Sequence, residues 1–445
     1  MDRLQSHLFV LLVFATLFTR GQPSPQQGTE KWSYVTVRDG AHMFWWLYYA
    51  DSPSADYKDL PLVMWLQGGP GGSGTGFGNF EEIGPLDRDL NPRNTTWVQS
   101  ASVLFVDNPV GTGFSYTDRD DAFATNVSTV ASDMLVLLRN FFTKMEDFQV
   151  GYTVRLNRAE KLCFYRPFYI FSESYGGKMA AAISLQLTKA IAKGSIKCNF
   201  AGVALGDSWI SPLVPAGRPG LAEVNAVAQE VQDAVENGHF LKATELWSVA
   251  ESVVERNTNN VNFYNILTQD TDEAVRLRPG DDFISLQFHR HVRRLHKQSL
   301  DELMNGPIRK KLGQIPDNVT WGGQSQDVFR SMAGDFMRPV VDIVDQLLSA
   351  GVNVTVYNGQ LDLIVDTVGQ EQWVKTLKWE GLPYFNQLRW TPLDDPASPG
   401  ATGAFYKTYK NFCFFWILKA GHMIPSDQGA MALQMLQMIT QQQTS

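Results

Sequence analysis

The sequence predicts an α/β fold built on a largely parallel central sheet with an inserted helical cap. Strand-like apolar runs begin near Leu62, Val103, Tyr169 and Phe200, and helical stretches lie at 127–144 and 178–193. This alternation is typical of parallel sheets, because each crossover between parallel strands needs a helix-length connection. Polar residues follow several of the strands directly, which is where open α/β sheets hold their active sites.

An aromatic hairpin precedes the first of these strands. Trp32 to Val37 and Met43 to Tyr49 are rich in strand-forming residues and are separated by Asp39-Gly40. An Asp-Gly pair favours a tight hairpin turn, because glycine accepts positive φ angles. We therefore expect a β-hairpin at this position.

Length and composition limit the class of protein. The chain has 445 residues, of which 44% are hydrophobic and 19% charged, as in a well-packed globular protein. That length fits one α/β domain with a large insertion. A net charge of −8 and a pI of about 5.4 argue against binding to nucleic acid. They also bring the protein close to neutrality at a lysosome-like pH.

The first residues predict a secretory signal peptide at 1–21. The apolar stretch Leu8 to Phe18 follows Arg3, and cleavage is expected near Gly21. The stretch is too short to remain as a membrane anchor, and no later run is long enough to span a bilayer. We expect a secreted or lysosomal protein without a membrane anchor.

The predicted core is interrupted by one insertion. The interval 213–330 is more polar and more helical than its surroundings, and we assign it to the cap. The core then has a first part at 22–212 and a second part at 331–445. The second part opens on one helical face, which is marked by Phe336, Val340, Val341, Val344, Leu347 and Leu348.

A candidate nucleophile follows the strand Pro167 to Phe171. The strand stops at Ser172-Glu173-Ser174-Tyr175-Gly176, which resembles the Gly-x-Ser-x-Gly turn between a strand and a helix. Small residues are needed two positions on either side of the nucleophile, since larger side chains would collide with neighbouring backbone. Serine occupies the first glycine position here. We interpret Ser174 as the nucleophile, with Ser172 as the alternative.

Two later strands supply the partners of a serine nucleophile. The run Val352 to Tyr357 leads to Asp362, and the run Phe412 to Leu418 leads to His422. The order Ser, Asp, His along the chain belongs to the α/β hydrolases. His422 would take the proton from Ser174 Oγ, while Asp362 would hold the imidazole in the required tautomer.

A glycine-rich loop after the strand Leu62 to Leu66 predicts an oxyanion hole. Backbone N–H groups can approach a ligand closely there, and Gly69 N–H with Tyr175 N–H would be the donors. The loop also spells Gly69-x-Gly71-x-x-Gly74, the pattern of dinucleotide-binding loops. That pattern should open into a helix, whereas further glycines at 76 and 78 argue against one. A nicotinamide oxidoreductase would also leave the triad unexplained.

Four motifs together resemble the serine carboxypeptidases. They are Trp65-Leu66-Gln67-Gly68-Gly69-Pro70-Gly71, Asp107-Asn108-Pro109-Val110-Gly111-Thr112-Gly113-Phe114-Ser115-Tyr116, Glu173-Ser174-Tyr175-Gly176-Gly177 and Ala420-Gly421-His422-Met423-Ile424-Pro425. The resemblance implies an α/β-hydrolase fold with a helical cap after the strand Phe200 to Leu205. It implies release of single residues from peptide or protein C-termini at acidic pH, through an acyl-enzyme and without a cofactor. A homodimer is a further expectation.

Carried over from the family, the residues that bind the substrate carboxylate are Gln67, Gly68, Glu82 and Glu173, with Glu81 as an alternative to Glu82. Most members have asparagine in place of Gln67. Two glutamates would repel a carboxylate unless protons are shared among them. Burial and crowding of like charges both raise carboxyl pKa values, so such a site works on the acid side.

Three departures from the family pattern stand out. Gly72 replaces a common cysteine, so the disulfide anchored there is not expected. The segment 151–166 lengthens a connection that is usually short. The segment 213–220, rich in proline and glycine, replaces a longer aromatic start of the cap. A catalytically silent binding protein of the same fold is the alternative function that these departures favour.

The sequence also contains candidate modification sites and a few side chains that could ligate a metal. Glycosylation sequons are present at Asn94, Asn126, Asn318 and Asn353, and we expect Asn353 to be poorly accessible at the start of a strand. The three cysteines, Cys163, Cys198 and Cys413, allow one intramolecular disulfide, and Cys413 is expected to be a buried thiol. The basic run 289–297 is interpreted as a solvated helix face. No metal-ligand spacing is apparent, and no metal is expected.

Overall fold

The structure is a computed structural model that describes residues 29–149, 153–155, 161–163, 166–212, 222–270, 282–295 and 298–441. The predicted signal peptide and the proline-rich segment 213–220 lie outside these ranges. Of the predicted insertion at 151–166, only two short strands and Arg166 are described.

One mixed sheet organises the described part of the chain. In chain order the strands are Glu30–Arg38 (β1), Ala41–Tyr48 (β2), Leu62–Leu66 (β3), Ser102–Val106 (β4), Tyr116–Thr117 (β5), Thr153–Arg155 (β6), Lys161–Cys163 (β7), Pro167–Glu173 (β8), Asn199–Gly206 (β9), Asn353–Gly359 (β10), Thr391–Asp394 (β11), Thr402–Tyr409 (β12) and Phe412–Ile417 (β13). The pair β6 and β7 forms a separate antiparallel ribbon, and the other strands belong to the large sheet.

The centre of the large sheet is parallel. Its strand order is β1-β2-β4-β3-β8-β9-β10-β13-β12-β11, and each pair from β4 to β13 is parallel. The outer pairs are antiparallel, and β5 adds to β2. The predicted parallel sheet and the hairpin at Asp39-Gly40 are confirmed. All the central strands therefore end at the same edge, where loops from distant parts of the chain meet.

Helices cover the sheet and fill the long interval between β9 and β10. The described α-helices are Val127–Lys144 (α1), Glu146–Gln149 (α2), Tyr175–Ala192 (α3), Ala222–Glu236 (α4), Phe240–Thr258 (α5), Phe283–His291 (α6), Gln298–Leu303 (α7), Arg309–Leu312 (α8), Ser325–Phe336 (α9), Val341–Ser349 (α10), Thr367–Val374 (α11), Leu382–Gln387 (α12), Ile424–Asp427 (α13) and Gly429–Gln441 (α14). Two π-helices span Gly74–Ile83 and Met304–Ile308, and short 3₁₀ turns span Tyr57–Asp59, Trp97–Gln99, Asp120–Ala122 and Arg293–Leu295.

The sheet separates two apolar cores. Because side chains alternate along a strand, Leu104 and Val106 of β4 pack into one core while Val103 and Phe105 pack into the other. The first core contains helices α1, α3 and α10, and the second contains the π-helix at Gly74–Ile83 and helix α14. With both faces covered, the central strands are largely apolar, as buried parallel strands usually are, and polar residues such as Glu173 and Asn358 lie toward their carboxyl ends.

Two local predictions were wrong. The apolar face predicted from Phe336 to Leu348 belongs to two helices, since α9 ends at Phe336 and α10 begins at Val341, beyond Pro339. A helix does follow the glycine loop, at Gly74–Ile83, although its glycines predicted none. Glycine is required there because a Cβ on Gly76 would lie 2.2 Å from the Trp321 ring.

No helix among the described residues is long and apolar enough to cross a membrane.

The contact between helix α3 and strand β3 generates a stability prediction. A Cβ on Gly176 would lie 2.4 Å from the carbonyl oxygen of Leu66, so Gly176→Ala forces a backbone shift. We expect it to lower the free energy of unfolding by about 1–3 kcal/mol, the usual cost of overpacking. Gly334→Ala is the matched control, because that glycine is also helical and has open space around it. Urea denaturation of both variants measures the difference, and equal stabilities would contradict the close contact.

Candidate active site

Ser174 occupies a strained turn between β8 and α3. Its φ of 62° and ψ of −132° are rare for a residue with a side chain. Ser174 N donates to Gly206 O over 3.0 Å, and Ser174 O accepts from Trp209 N over 3.0 Å. These bonds to the end of β9 hold the turn in a conformation that it would not adopt by itself.

The two candidate serines differ in accessibility. Ser174 is partly exposed, whereas Ser172 is fully buried and donates its hydroxyl to Ala204 O over 3.0 Å. Gly68 lies directly against the turn, since a Cβ on it would be 2.5 Å from Ser174 Cβ. The geometry therefore favours Ser174 over Ser172 as the reacting serine.

Asp362 and His422 form a buried pair beside this turn. His422 Nδ1 and Asp362 Oδ2 are 2.7 Å apart, and Asp362 Oδ1 accepts from Val365 N over 3.1 Å. The backbone N–H of His422 donates to Tyr264 O over 2.8 Å, and the Tyr264 ring stands edge-on to the imidazole at 4.8 Å. Nδ1 is thus committed to the aspartate, which leaves Nε2 for proton transfer.

His422 Nε2 is buried and has no hydrogen-bond partner among the described residues, Ser174 included. Catalytic hydrogen bonds are often long or poorly aligned before substrate binds, so this gap does not remove His422 as a candidate base. Burial lowers the pKa of His422 to about 4, and Arg294 adds to this while Asp207 opposes it. The imidazole is therefore neutral, and able to accept a proton, at pH values above about 4.

Asp207 is a further buried acid beside this pair that was not predicted from the sequence. Ligand atoms of Asp207, Asp362 and His422 all lie within 4.8 Å of one another. The available signal was its position, because Asp207 follows the last residue of β9 just as Ser174 follows β8. The oxygens of Asp362 are already engaged by His422 and by Val365 N. We therefore interpret Asp207, Asp362 and His422 as a network that shares protons rather than as a metal site.

The glycine loop after β3 packs between Ser174 and residues of the predicted cap. Gly69 has a φ of +112°, which favours glycine, and a Cβ on it would lie 3.1 Å from Val292 Cγ2. A Cβ on Gly72 would lie 2.9 Å from both Gly68 O and Leu295 Cδ1. This close packing explains why glycine fits at position 72.

The predicted oxyanion donors flank Ser174. Tyr175 is the first residue of α3, and the first N–H groups of a helix have no partner inside it. The Gly69 loop lies on the other side, next to Gly68. The roles of Gly69 N–H and Tyr175 N–H stay predictions.

The predicted carboxylate-binding residues meet in a buried cluster. Trp65 Nε1 donates to Gln67 Oε1 over 2.8 Å, and Gln67 Nε2 donates to Glu173 Oε1 over 2.8 Å. Gln67, Glu82 and Glu173 are each no more than 2% exposed. The Trp65 contact fixes the amide orientation, so the longer arm of Gln67 still presents its N–H group to Glu173. Glu81 is not part of this cluster, since it pairs with Arg88 at 3.0 Å.

The two glutamates share their surroundings and perturb each other. Burial raises the pKa of Glu82 to about 8, although contacts with Glu173 and Gln67 lower it. Burial, followed by the charge of Glu82, raises the pKa of Glu173 well above its ordinary range. The pair therefore holds protons at acidic pH and can act as a hydrogen-bond donor there.

The other predicted sites fall in varied surroundings. Asn94 and Asn318 are exposed, while Asn126 is half-buried and caps helix α1 through a 2.9 Å bond from Thr129 N. Asn353 Nδ2 donates to Ala201 O over 2.8 Å, consistent with its expected poor accessibility.

The cysteines for which side chains are described carry free thiols. Cys198 is half-buried and Cys413 is buried, as expected for the latter. The side chain of Cys163 lies outside the described residues.

The interpretation of residues 289–297 as a solvated basic face was wrong for Arg290 and His291, although His289 is exposed. Arg290 and His291 are buried and paired with glutamates of helix α5. Arg290 contacts Glu251 at 3.3 Å and Glu255 at 2.5 Å, and His291 Nε2 lies 2.8 Å from Glu251. The charge of Arg290 is therefore balanced by the buried Glu251 and by Glu255 inside the helical region, and not by solvent.

The sequence pattern of the serine carboxypeptidase family matches residues 21–442. The chain therefore belongs to the serine carboxypeptidase family, and the predictions of this family and of a serine-type carboxypeptidase are confirmed. Among its relatives, the retinoid-inducible serine carboxypeptidase of Mus musculus is 56% identical over 98% of this chain and 97% of its own length. That of Homo sapiens is 58% identical over 94% and 93%.

A solved structure agrees on the fold. The crystal structure of Kex1, a prohormone-processing carboxypeptidase from Saccharomyces cerevisiae, matches with a TM-score of 0.74 and 19% sequence identity. The match covers 94% of this chain and 92% of that chain. The α/β-hydrolase fold predicted from the order of Ser, Asp and His is confirmed.

The raised pKa of Glu82 predicts how stability depends on pH. A carboxyl group with a pKa of about 8 in the folded state and an ordinary value when unfolded stabilises the fold fully at low pH. That stabilisation is lost progressively between the ordinary pKa of 4.5 and about 8, because over this range the unfolded chain has given up the proton while the folded protein still holds it. We expect Glu82→Gln, which stays neutral, to reduce the fall in thermal midpoint between pH 5 and pH 8.

Glu81→Gln is the matched control, since Glu81 lies outside the buried cluster and should keep the wild-type slope. Thermal denaturation at several pH values measures all three proteins. Parallel curves for Glu82→Gln and wild type would show that the ionisation of Glu82 does not limit stability.

Proposed function

We propose that this protein releases single residues from the C-termini of peptides on the acid side of neutrality, with Ser174 as the nucleophile. The observation that carries the proposal is the buried cluster of Gln67, Glu82 and Glu173, which adjoins Ser174 through the peptide bond between residues 173 and 174. If this cluster binds the terminal carboxylate of a peptide, the last peptide bond of that substrate lies next to Ser174. The enzyme would therefore cut one residue from the end.

The proposed chemistry has two half-reactions. In the first, Ser174 Oγ attacks the scissile carbonyl carbon while its proton passes to His422 Nε2. Asp362 holds the opposite ring nitrogen and stabilises the imidazolium. The oxyanion accepts hydrogen bonds from Gly69 N–H and Tyr175 N–H, each worth about 3 kcal/mol of barrier.

Breakdown of this intermediate gives the acyl-enzyme. The C–N bond breaks, and the departing amine takes the proton from His422 Nε2. Water then attacks the ester on Ser174, again giving its proton to His422. Collapse returns the proton to Ser174 Oγ and releases the shortened peptide.

The cluster of glutamates accounts for acid-side activity. A protonated glutamate can donate a hydrogen bond to the substrate carboxylate, whereas an ionised one repels it. The Gly68 backbone and the Gln67 amide complete the proposed carboxylate site. With the pKa of Glu82 at about 8 and that of His422 at about 4, the range in which both groups are in their working forms lies between these values.

Passage through the secretory pathway is part of the proposal. The predicted signal peptide at 1–21 and exposed sequons at Asn94 and Asn318 support a secreted or lysosomal location. The expected homodimer stays a prediction, which sedimentation of the purified protein would test.

The first prediction from this proposal concerns the triad. Ser174→Ala, Asp362→Ala and His422→Ala should each remove most turnover while the protein stays folded, and double variants should lose little beyond the worst single one. A fluorophosphonate probe should label Ser174 in the wild type. Ser172→Ala is the control and should keep labelling, because its hydroxyl is already bonded to Ala204. A folded wild-type protein that forms no adduct would favour the silent binding protein.

The second prediction concerns pH and the substrate terminus. With a free-acid peptide, kcat/KM should fall below about pH 4 as His422 gains a proton and above about pH 8 as Glu82 loses one. On the alkaline side KM should rise before kcat falls. The matched amidated peptide carries no terminal charge, so its KM should change less. Identical pH profiles for the two peptides would show that ionisation of the glutamates does not limit binding of the substrate carboxylate, and only the fall on the acid side would then be assigned to His422.

A further inference from the structure

Asp207 is held in an unusual conformation at the end of β9. It is 1% exposed and has a φ of 40°, which is uncommon for a residue with a side chain. Its N–H donates to Tyr357 O over 2.8 Å, and its Oδ1 accepts from Gly359 N over 2.8 Å. Strained backbone of this kind persists where the surroundings fix it, and it clusters at functional sites.

The second oxygen of Asp207 explains why this conformation matters. Oδ2 is buried and accepts no hydrogen bond from an N–H or O–H group of the described residues. The neighbouring acid is Asp362, within the 4.8 Å group that includes His422. Two buried carboxylates this close cannot both stay ionised, and one proton shared between them relieves the repulsion.

We propose that Asp207 is a positioning residue for the triad, whose neutral carboxyl group donates a hydrogen bond from Oδ2 to the Asp362 carboxylate. Asp362 then accepts from Asp207 and Val365 N while it bonds His422 Nδ1, so its orientation toward the imidazole is fixed. The inference rests on the proposed function, because it assigns Asp207 to the same reaction.

The directions of the pKa shifts agree with the geometry. Burial and the charge of Asp362 raise the pKa of Asp207, and the contact with Asp362 raises it further. Burial also raises the pKa of Asp362, but the contact with Asp207 lowers it. Of the two acids, Asp207 is therefore the one that holds the proton.

Other ionisable groups face this pair. Glu173 at the end of β8, Tyr357 on β10 and His422 interact with Asp207 directly. Asp366 acts on Asp362, whereas Arg294 and Asp427 act on His422. Of all the charges, that of Asp362 has the largest effect on the pKa of Asp207, and only burial has a larger one.

A purely structural role predicts a different outcome from a positioning role. An asparagine at 207 keeps an oxygen for Gly359 N and supplies an N–H group for Asp362, but it cannot ionise. Alanine removes both bonds. In the wild type, loss of the Asp207 proton at high pH would set two charges against each other and displace Asp362 from His422.

The test measures the rate at which a fluorophosphonate labels Ser174 as a function of pH, in the wild type, Asp207→Asn and Asp207→Ala. This probe has no terminal carboxylate, so Glu82 and Glu173 do not affect its binding through charge on the ligand. Asp207→Asn should react within about threefold of the wild type at pH 5 and keep its rate at alkaline pH where the wild type slows. Asp207→Ala should be slower by about tenfold to a hundredfold, the effect of one hydrogen bond to a charged group.

Two outcomes of this experiment would overturn the inference. If Asp207→Asn slows at the same pH as the wild type, the titrating group is another one and the inference is overturned, even if Asp207→Ala fails to fold. If the wild type forms no adduct at Ser174 at any pH, the proposed function fails, and this inference with it. An adduct on the wild type with coincident profiles overturns the role of Asp207 alone.

Discussion

The hydrogen bond from Ser174 N to Gly206 O joins the ends of two neighbouring parallel strands, and the rest of the site depends on it. It holds Ser174 in its strained turn, and it sets the next residue, Asp207, against the end of β10. From β10 the chain leads to Asp362, which meets His422 from the loop after β13. The parallel arrangement brings these loops to one edge, while backbone bonds between strand ends set the distances within the group. The sheet therefore fixes the relative positions of the residues at the site.

Buried carboxyl groups occur in two pairs around the nucleophile, and they do different work. Glu82 and Glu173 form the proposed site for the substrate carboxylate, and burial raises the pKa of each, so that protons held there would attract an anion. Asp207 and Asp362 lie next to His422, with their ligand atoms within 4.8 Å of one another, and the proposed shared proton would let one acid support the other. Because burial raises the pKa of Glu82, Glu173 and Asp207, each pair holds a proton at acidic pH. Because burial lowers the pKa of His422, the same medium leaves the base unprotonated above about pH 4. One physical cause, the exclusion of water, thus raises the pKa of the glutamates and lowers that of His422.

Sequence reasoning located what local patterns encode. Ser174 and its two partners follow strands, and strands are visible as short apolar runs. What it missed depends on residues far away in the chain. The π-helix at Gly74–Ile83 forms against Trp321, which overrides the low helix propensity of its glycines. Arg290 was expected in water because its buried partners lie on another helix. Asp207 was passed over since a polar residue after a strand is usually a turn residue, and only the fold reveals the second acid beside it.

His422 donates its backbone N–H to Tyr264 O, so the loop that carries the base is fastened to the helical region rather than to the sheet alone. That fastening has a consequence for the timing of activity during synthesis. The serine emerges from the ribosome early and the histidine among the last segments, after the helical region has been made. A nascent chain thus carries the proposed nucleophile without its proposed base. Under the proposed mechanism, hydrolysis begins only when β13 has joined β10 and the loop after it has brought His422 to Asp362.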